Sequence, residues 1–125
     1  MKRLLVFSVM ILGATFLSFA QKHTFTNNRG EYKDFNTGKD VKSNDVDDIT
    51  IENLGGGIYK LTDSKESIIF KFSHIEAEMY VYRVVKGKTL IYSVQKMSSL
   101  AKGNPGKIGI DLANTSVLLT YWLDN

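Results

Sequence analysis

Residues 49–62 read ITIENLGGGIYKLT. Ile49 and Ile51 alternate with Thr50 and Glu52. Gly55-Gly56-Gly57 then supplies a turn that tolerates positive φ, and Ile58 to Thr62 answers as a second arm. A β-hairpin follows from that pattern, and the same period of two continues to the end of the chain. Asp63-Ser64-Lys65-Glu66 forms the next turn, after which Ile68, Phe70 and Phe72 share one face of a strand. Ile75, Ala77, Met79 and Val81 then alternate with His74, Glu76, Glu78, Tyr80 and Tyr82 as one further strand, its tyrosine face the more polar and its Met79-Val81 face the more core-like. Lys86-Gly87-Lys88 reads as a solvated hairpin turn, followed by Leu90, Tyr92 and Val94 on one strand face.

Only Gln95 to Lys102 carries helical spacing, and Gly103-Asn104-Pro105-Gly106 limits it to about one turn. Two last strands span Lys107 to Leu112 and Ser116 to Leu123, with Asn114 in the turn between them. Val117 to Trp122 is apolar on both faces, as a strand flanked by other layers would be. Before residue 49, Thr24 to Thr26 and Glu31 to Phe35 read as a hairpin across Asn27-Asn28-Arg29-Gly30. Asn36 to Asp48 is polar and lacks alternation, so it reads as a long loop. Short strands joined in order by tight turns predict an all-β antiparallel meander closing as a barrel or half-barrel, with a two-sheet β-sandwich as the alternative. Closure hides the edge strands, which favours the barrel.

The N-terminus adds an address. Lys2 and Arg3 precede an apolar run from Leu4 to Leu17, and Ser18-Phe19-Ala20 ends it with small residues where a signal peptidase reads. Residues 1–20 are expected to be a secretory signal peptide cut before Gln21, leaving one all-β domain, 21–125, secreted or periplasmic and without stable membrane insertion. The chain has no cysteine, so neither a disulfide nor a bacterial lipid anchor is available. Removing Lys2 and Arg3 from the 16 basic residues leaves 14 against 13 acidic ones. That near-neutral total gives no reason to expect nucleic acid or anionic membrane as a partner.

Chemistry-bearing constellations are sparse. His74, Glu76 and Glu78 project from one strand face, yet alternation explains them without a metal. Asp40, Asn44, Asp45, Asp47 and Asp48 crowd one segment but miss the Gly and Glu positions of a calcium-binding loop. Neither a cysteine nor a Gly-x-Ser-x-Gly turn presents a nucleophile, and no cofactor motif occurs, so a non-enzymatic role is expected. Tyr80, Tyr82, Tyr92 and Trp122, with Glu78 as a polar group, are the candidate ligand-binding residues, because aromatics with a few polar groups line ligand cavities. Arg83 faces the opposite way and is left out of that set. The expected function is an exported β-domain binding an apolar or amphipathic small molecule. Its rival is a protein-interaction module, an inhibitor or an envelope-assembly subunit, using exposed strand and loop surface.

Overall fold

The Gly55–Gly57 turn does join two antiparallel strands, β4 (Ile49–Gly55) and β5 (Ile58–Thr62), in a computed structural model that describes residues 21–124. The segment read as a signal peptide lies outside the described residues. From β5 the chain meanders through β6 (Ser67–Glu76), β7 (Met79–Val84), β8 (Leu90–Ser93), β9 (Gly106–Asp111) and β10 (Val117–Leu123), each strand pairing with the next. Three strands precede them: β1 (Lys22–Phe25), β2 (Asn28–Asp34) and β3 (Asp40–Val46). All ten belong to one antiparallel sheet in the order β1-β4-β5-β6-β7-β8-β9-β10-β2-β3. It is a curled half-barrel.

The N-terminal strands bring the ends of that sheet together. β1 pairs with β4, placing Phe25 opposite Ile49, and three residues on β2 pairs with β3, placing Asn28 opposite Val46. β1–β2 and β3–β4 are therefore the two arms of one long bent hairpin. Its β4 half extends the meander at one edge, while its β2 half pairs with β10 at the other. Alternate residues of the strands point into the curl, where Phe25, Ile51, Phe70, Tyr82, Ile91, Ile108 and Leu123 are buried. A single helical turn, α1 (Met97–Ala101), fills one end with Met97, Leu100 and Ala101. It stops in a Schellman arrangement: Gly103 N–H donates to Leu100 O and Asn104 N–H to Ser99 O, at 3.0 and 3.2 Å. Gly103 has φ +100°, and a Cβ there would lie 2.9 Å from His23 Nδ1. Both facts require glycine.

Three local expectations are overturned. Thr24–Thr26 and Glu31–Phe35 do not form a hairpin across Asn27–Gly30; the chain runs straight on from β1 into β2. Most of Asn36 to Asp48 is not a loop but the edge strand β3. A strand held to β2 by backbone bonds and exposed on its described residues up to Asn44 needs no apolar alternation, so the pattern was silent. Residues 74–82 are not one strand either. They turn at Ala77 and Glu78, whose φ values of 51° and 65° make a two-residue hairpin loop of the kind that favours Asn-Gly. Neither residue signals a turn, and each L-residue held in the left-handed region costs about 1–2 kcal/mol. Replacing the pair by Ala77→Asn and Glu78→Gly is expected to stabilise the protein by roughly 1–2 kcal/mol. A denaturation midpoint that does not rise would show that the turn is not strained.

Candidate functional site

The two ends of the curl differ. α1 packs one end shut, and the Tyr82 hydroxyl accepts the Met97 N–H at 3.0 Å there. Burial pushes the Tyr82 phenol up to about 12, against the smaller opposing effect of that hydrogen bond. The other end, where the β5–β6, β7–β8 and β9–β10 turns meet, holds a cavity of about 550 Å³. Ile49, Leu61, Ile68, Val84, Ile110 and Leu119 form its apolar wall. These are inward positions near strand ends, where the flanking turns bring in no bulky plug. Tyr121 closes one side, its phenol pushed above its ordinary value by burial and then by the Asp63 and Asp47 carboxylates. Asp63, Glu66 and Lys86 add charge at the lip. The chemistry offered is that of an aliphatic pocket with one phenol and a charged rim.

Asp34 holds the neighbouring hairpin tip to β10. Its carboxylate accepts the Ser116 hydroxyl at 2.5 Å and the Asn36 N–H at 2.9 Å, and these bonds, the Ser116 hydroxyl first, lower its pKa. On the outer face, a second depression of about 460 Å³ runs over Gly109, between Tyr92, Leu118, Met79, Val94 and Phe35.

The candidate residues from sequence do not converge. Tyr80 and Tyr82 point into the curl, so their face is the core side, contrary to the expectation that Met79 and Val81 were the core-like pair. The register shows why: Tyr82 stands between Phe72 and Ile91, both inward positions. Tyr82 is 2% exposed and edge-on to Phe70 at 5.6 Å. Tyr80 lies beside Phe72 at 6.4 Å. Tyr92 is outside, in the groove over Gly109. Trp122 is also outside, between the Arg29 guanidinium at 5.3 Å and the Lys107 ammonium at 5.4 Å. Glu78 is exposed in the β6–β7 turn. None of the five lines the cavity at the open end; Tyr92 borders the separate outer groove. The cavity wall escaped attention because it is made of aliphatic alternation, which looks the same whether it fills a core or lines a space.

His74 Nε2 meets Glu76 Oε1 at 3.1 Å, and its Nδ1 meets Ser73 Oγ at 2.8 Å. All three residues are exposed on the β6–β7 arm, without an enclosing cleft that would exclude water. Among the described residues no three His, Cys, Asp or Glu side chains gather closely enough to hold a metal ion. Asp40 and Asn44 lie along extended β3, where alternation separates neighbouring side chains. In comparison with known proteins, no family model, no curated protein and no solved structure matches this chain.

Proposed function

We propose that the protein is an exported, non-enzymatic binding domain that holds an apolar or amphipathic small molecule in the cavity at the open end of the curl. One observation carries the reading: α1 packs one end of the interior, while aliphatic side chains at the other end surround about 550 Å³ of space. Small-molecule sites commonly occupy roughly 300–1,000 Å³ and are mostly apolar with a few polar groups. The secreted or periplasmic location in this reading is supported by the signal-like pattern of residues 1–20.

Filling the cavity tests this. Leu119→Trp puts a large ring into the space, and a fluorescent apolar probe such as N-phenylnaphthylamine is expected to bind at least ~10-fold more weakly, about 1.4 kcal/mol. The thermal midpoint reports whether the variant stays folded. Tyr92→Ala, on the outer face, is expected to leave the probe affinity unchanged; a loss there with Leu119→Trp silent would transfer the site to the groove over Gly109. The rival reading, a protein-interaction module, draws on β3, an edge strand with Val41 44% exposed. A protein partner lost on Ser43→Pro, with probe binding intact, would move the function to that edge.

A further inference from the structure

Charge is nearly balanced over the chain but not over its surface. The outward positions of β5, β6 as far as Lys71, and β7 carry Lys60, Lys71 and Arg83 and no carboxylate. Lys71 and Arg83 are direct cross-strand partners. Like charges placed opposite one another destabilise a sheet, so this pair is a standing cost to the fold. Lys86 and Lys88 extend the same basic surface through the β7–β8 turn. Among the described residues none of these five cations is neutralised by a salt bridge. Carboxylates bound this surface: Glu52 is the cross-strand partner of Lys60, Asp63 and Glu66 stand at the cavity lip beside Lys86, Asp111 lies beyond β8, and Asp34, Asp40, Asp47 and Asp48 follow the β2–β3 hairpin and its link to β4.

Two branched apolar residues stand within this basic surface. Ile69 is 43% exposed and Val85 59% exposed, and the Val85 N–H donates to Ile69 O at 2.9 Å, which sets them side by side. Both, with Lys86, also border the cavity. Cations around a small exposed apolar pair are what an anionic bilayer surface accepts: the lysines and arginine meet headgroups while the apolar pair enters the interface. A nucleic acid would use the cations but gain little from Ile69 and Val85.

We infer that this lip is a docking surface for a bilayer bearing anionic phospholipid headgroups, at which the cavity loads or unloads its guest. The inference rests on the proposed cavity function for its purpose, though not for its measurement. Docking brings the cavity mouth to the lipid, so an amphipathic molecule passes between the two without crossing water. The contact is peripheral and reversible, since five cations and two partly inserted side chains fall far short of a spanning segment.

The test is flotation of the protein, purified from the compartment to which its cell delivers it, with vesicles of phosphatidylglycerol and phosphatidylcholine or of phosphatidylcholine alone. Binding is expected on the anionic vesicles only, and it should weaken steeply with added salt. Lys71→Gln with Arg83→Gln removes two surface cations, each worth about fivefold, and is expected to lower anionic-vesicle partitioning about 25-fold. The same change relieves the like-charge pair, so the variant should be at least as stable as the parent. Ile69→Ser with Val85→Ser is expected to cost roughly tenfold. Equal binding to both vesicle types overturns the inference. So does binding to a single-stranded oligonucleotide that matches the vesicle affinity and survives Ile69→Ser with Val85→Ser, which would make the patch a nucleic-acid site. Probe affinity measured without lipid reads the cavity separately: its loss with vesicle binding intact refutes the cavity alone, and the converse refutes the docking surface alone.

Discussion

Phe70→Ala is expected to lower the stability of this protein by about 3–5 kcal/mol, the usual cost of emptying a large aromatic site in a core. Phe70 is fully buried and packs against two other rings. Tyr59 lies 6.0 Å away, nearly parallel, and Tyr82 lies 5.6 Å away, edge-on. Tyr59 and Tyr82 in turn meet edge-on at 5.9 Å, and Phe72 reaches Tyr82 at 5.7 Å. Removing the Phe70 ring leaves Tyr59 and Tyr82 without contact on one side, and the strands that carry them cannot all move inward together. A domain of this size stands only about 5–15 kcal/mol above its unfolded state, so the thermal midpoint should fall by roughly 15–25 °C. A loss below about 1 kcal/mol would mean that the cluster collapses into the space and that its geometry is not a constraint.

The same variant reports on Tyr82 through pH. The Tyr82 phenol is held neutral up to about 12 in the folded protein, chiefly by burial, whereas its ordinary value is 10.0. The folded value is the higher one, so the associated stability is complete below pH 10 and is lost as pH rises from there to about 12. Two units correspond to about 3 kcal/mol over that window. In Phe70→Ala, water reaching the Tyr82 hydroxyl should bring its titration back toward the ordinary range, visible in tyrosinate absorbance.

How the fold was written in the sequence differs from strand to strand. Ile49, Ile51, Ile68 and Phe70 were legible because each must bury one face, and burial imposes a period of two; on β8 the face read as apolar, Leu90-Tyr92-Val94, is the outer one, and Ile91 on the other face is the buried residue. The Gly55–Gly57 turn and the stop at Gly103 were legible because their φ values, 64° to 100°, are ones that glycine alone takes without strain. The turn at Ala77-Glu78 was not, because the residues there resist the conformation they adopt. The strand β3 was not, because it is held to its neighbour β2 through backbone groups that every residue has, and it buries no apolar face that alternation would reveal. The candidate site residues are scattered for a third reason. Tyr80, Tyr82, Tyr92 and Trp122 were grouped by type, but a turn at 77–78 and the curl of the sheet set two of them inside and two outside. The basic lip was hidden by addition: Lys60, Lys71, Arg83, Lys86 and Lys88 disappear into a nearly neutral total until the strands align them.

Asn28→Ala tests the joint that brings the sheet's ends together. Asn28 is 1% exposed at the break between β1 and β2. Its amide donates to Phe25 O at 2.7 Å and to Asp47 O at 3.0 Å, so one side chain ties the end of β1 to the link between β3 and β4. Those carbonyls lie where the ladder is interrupted, and Asn27 N–H spans the same break to Asp124 O at 3.2 Å. Alanine leaves the buried Phe25 carbonyl without that donor and the Asp47 carbonyl dependent on water, an expected loss of about 2–4 kcal/mol. Asn28→Asp keeps the shape but turns the donor into an acceptor facing two carbonyls, and it adds a buried charge, so it should be worse at neutral pH. Burial and the two carbonyls raise the folded pKa of the introduced carboxyl above its unfolded value, near 3.9. The variant should therefore be most stable below about pH 4 relative to the parent, when a protonated carboxyl can donate again, and lose that advantage as pH rises through the folded pKa. Parent-subtracted stabilities across that range read the effect. A pH-independent deficit, or a cost for Asn28→Ala below about 0.5 kcal/mol, would show that the bent hairpin holds without this side chain. The cavity depends on the answer, since β2 pairs with the strand that carries Leu119 and Tyr121, and a hairpin released at Asn28 would loosen the cavity wall.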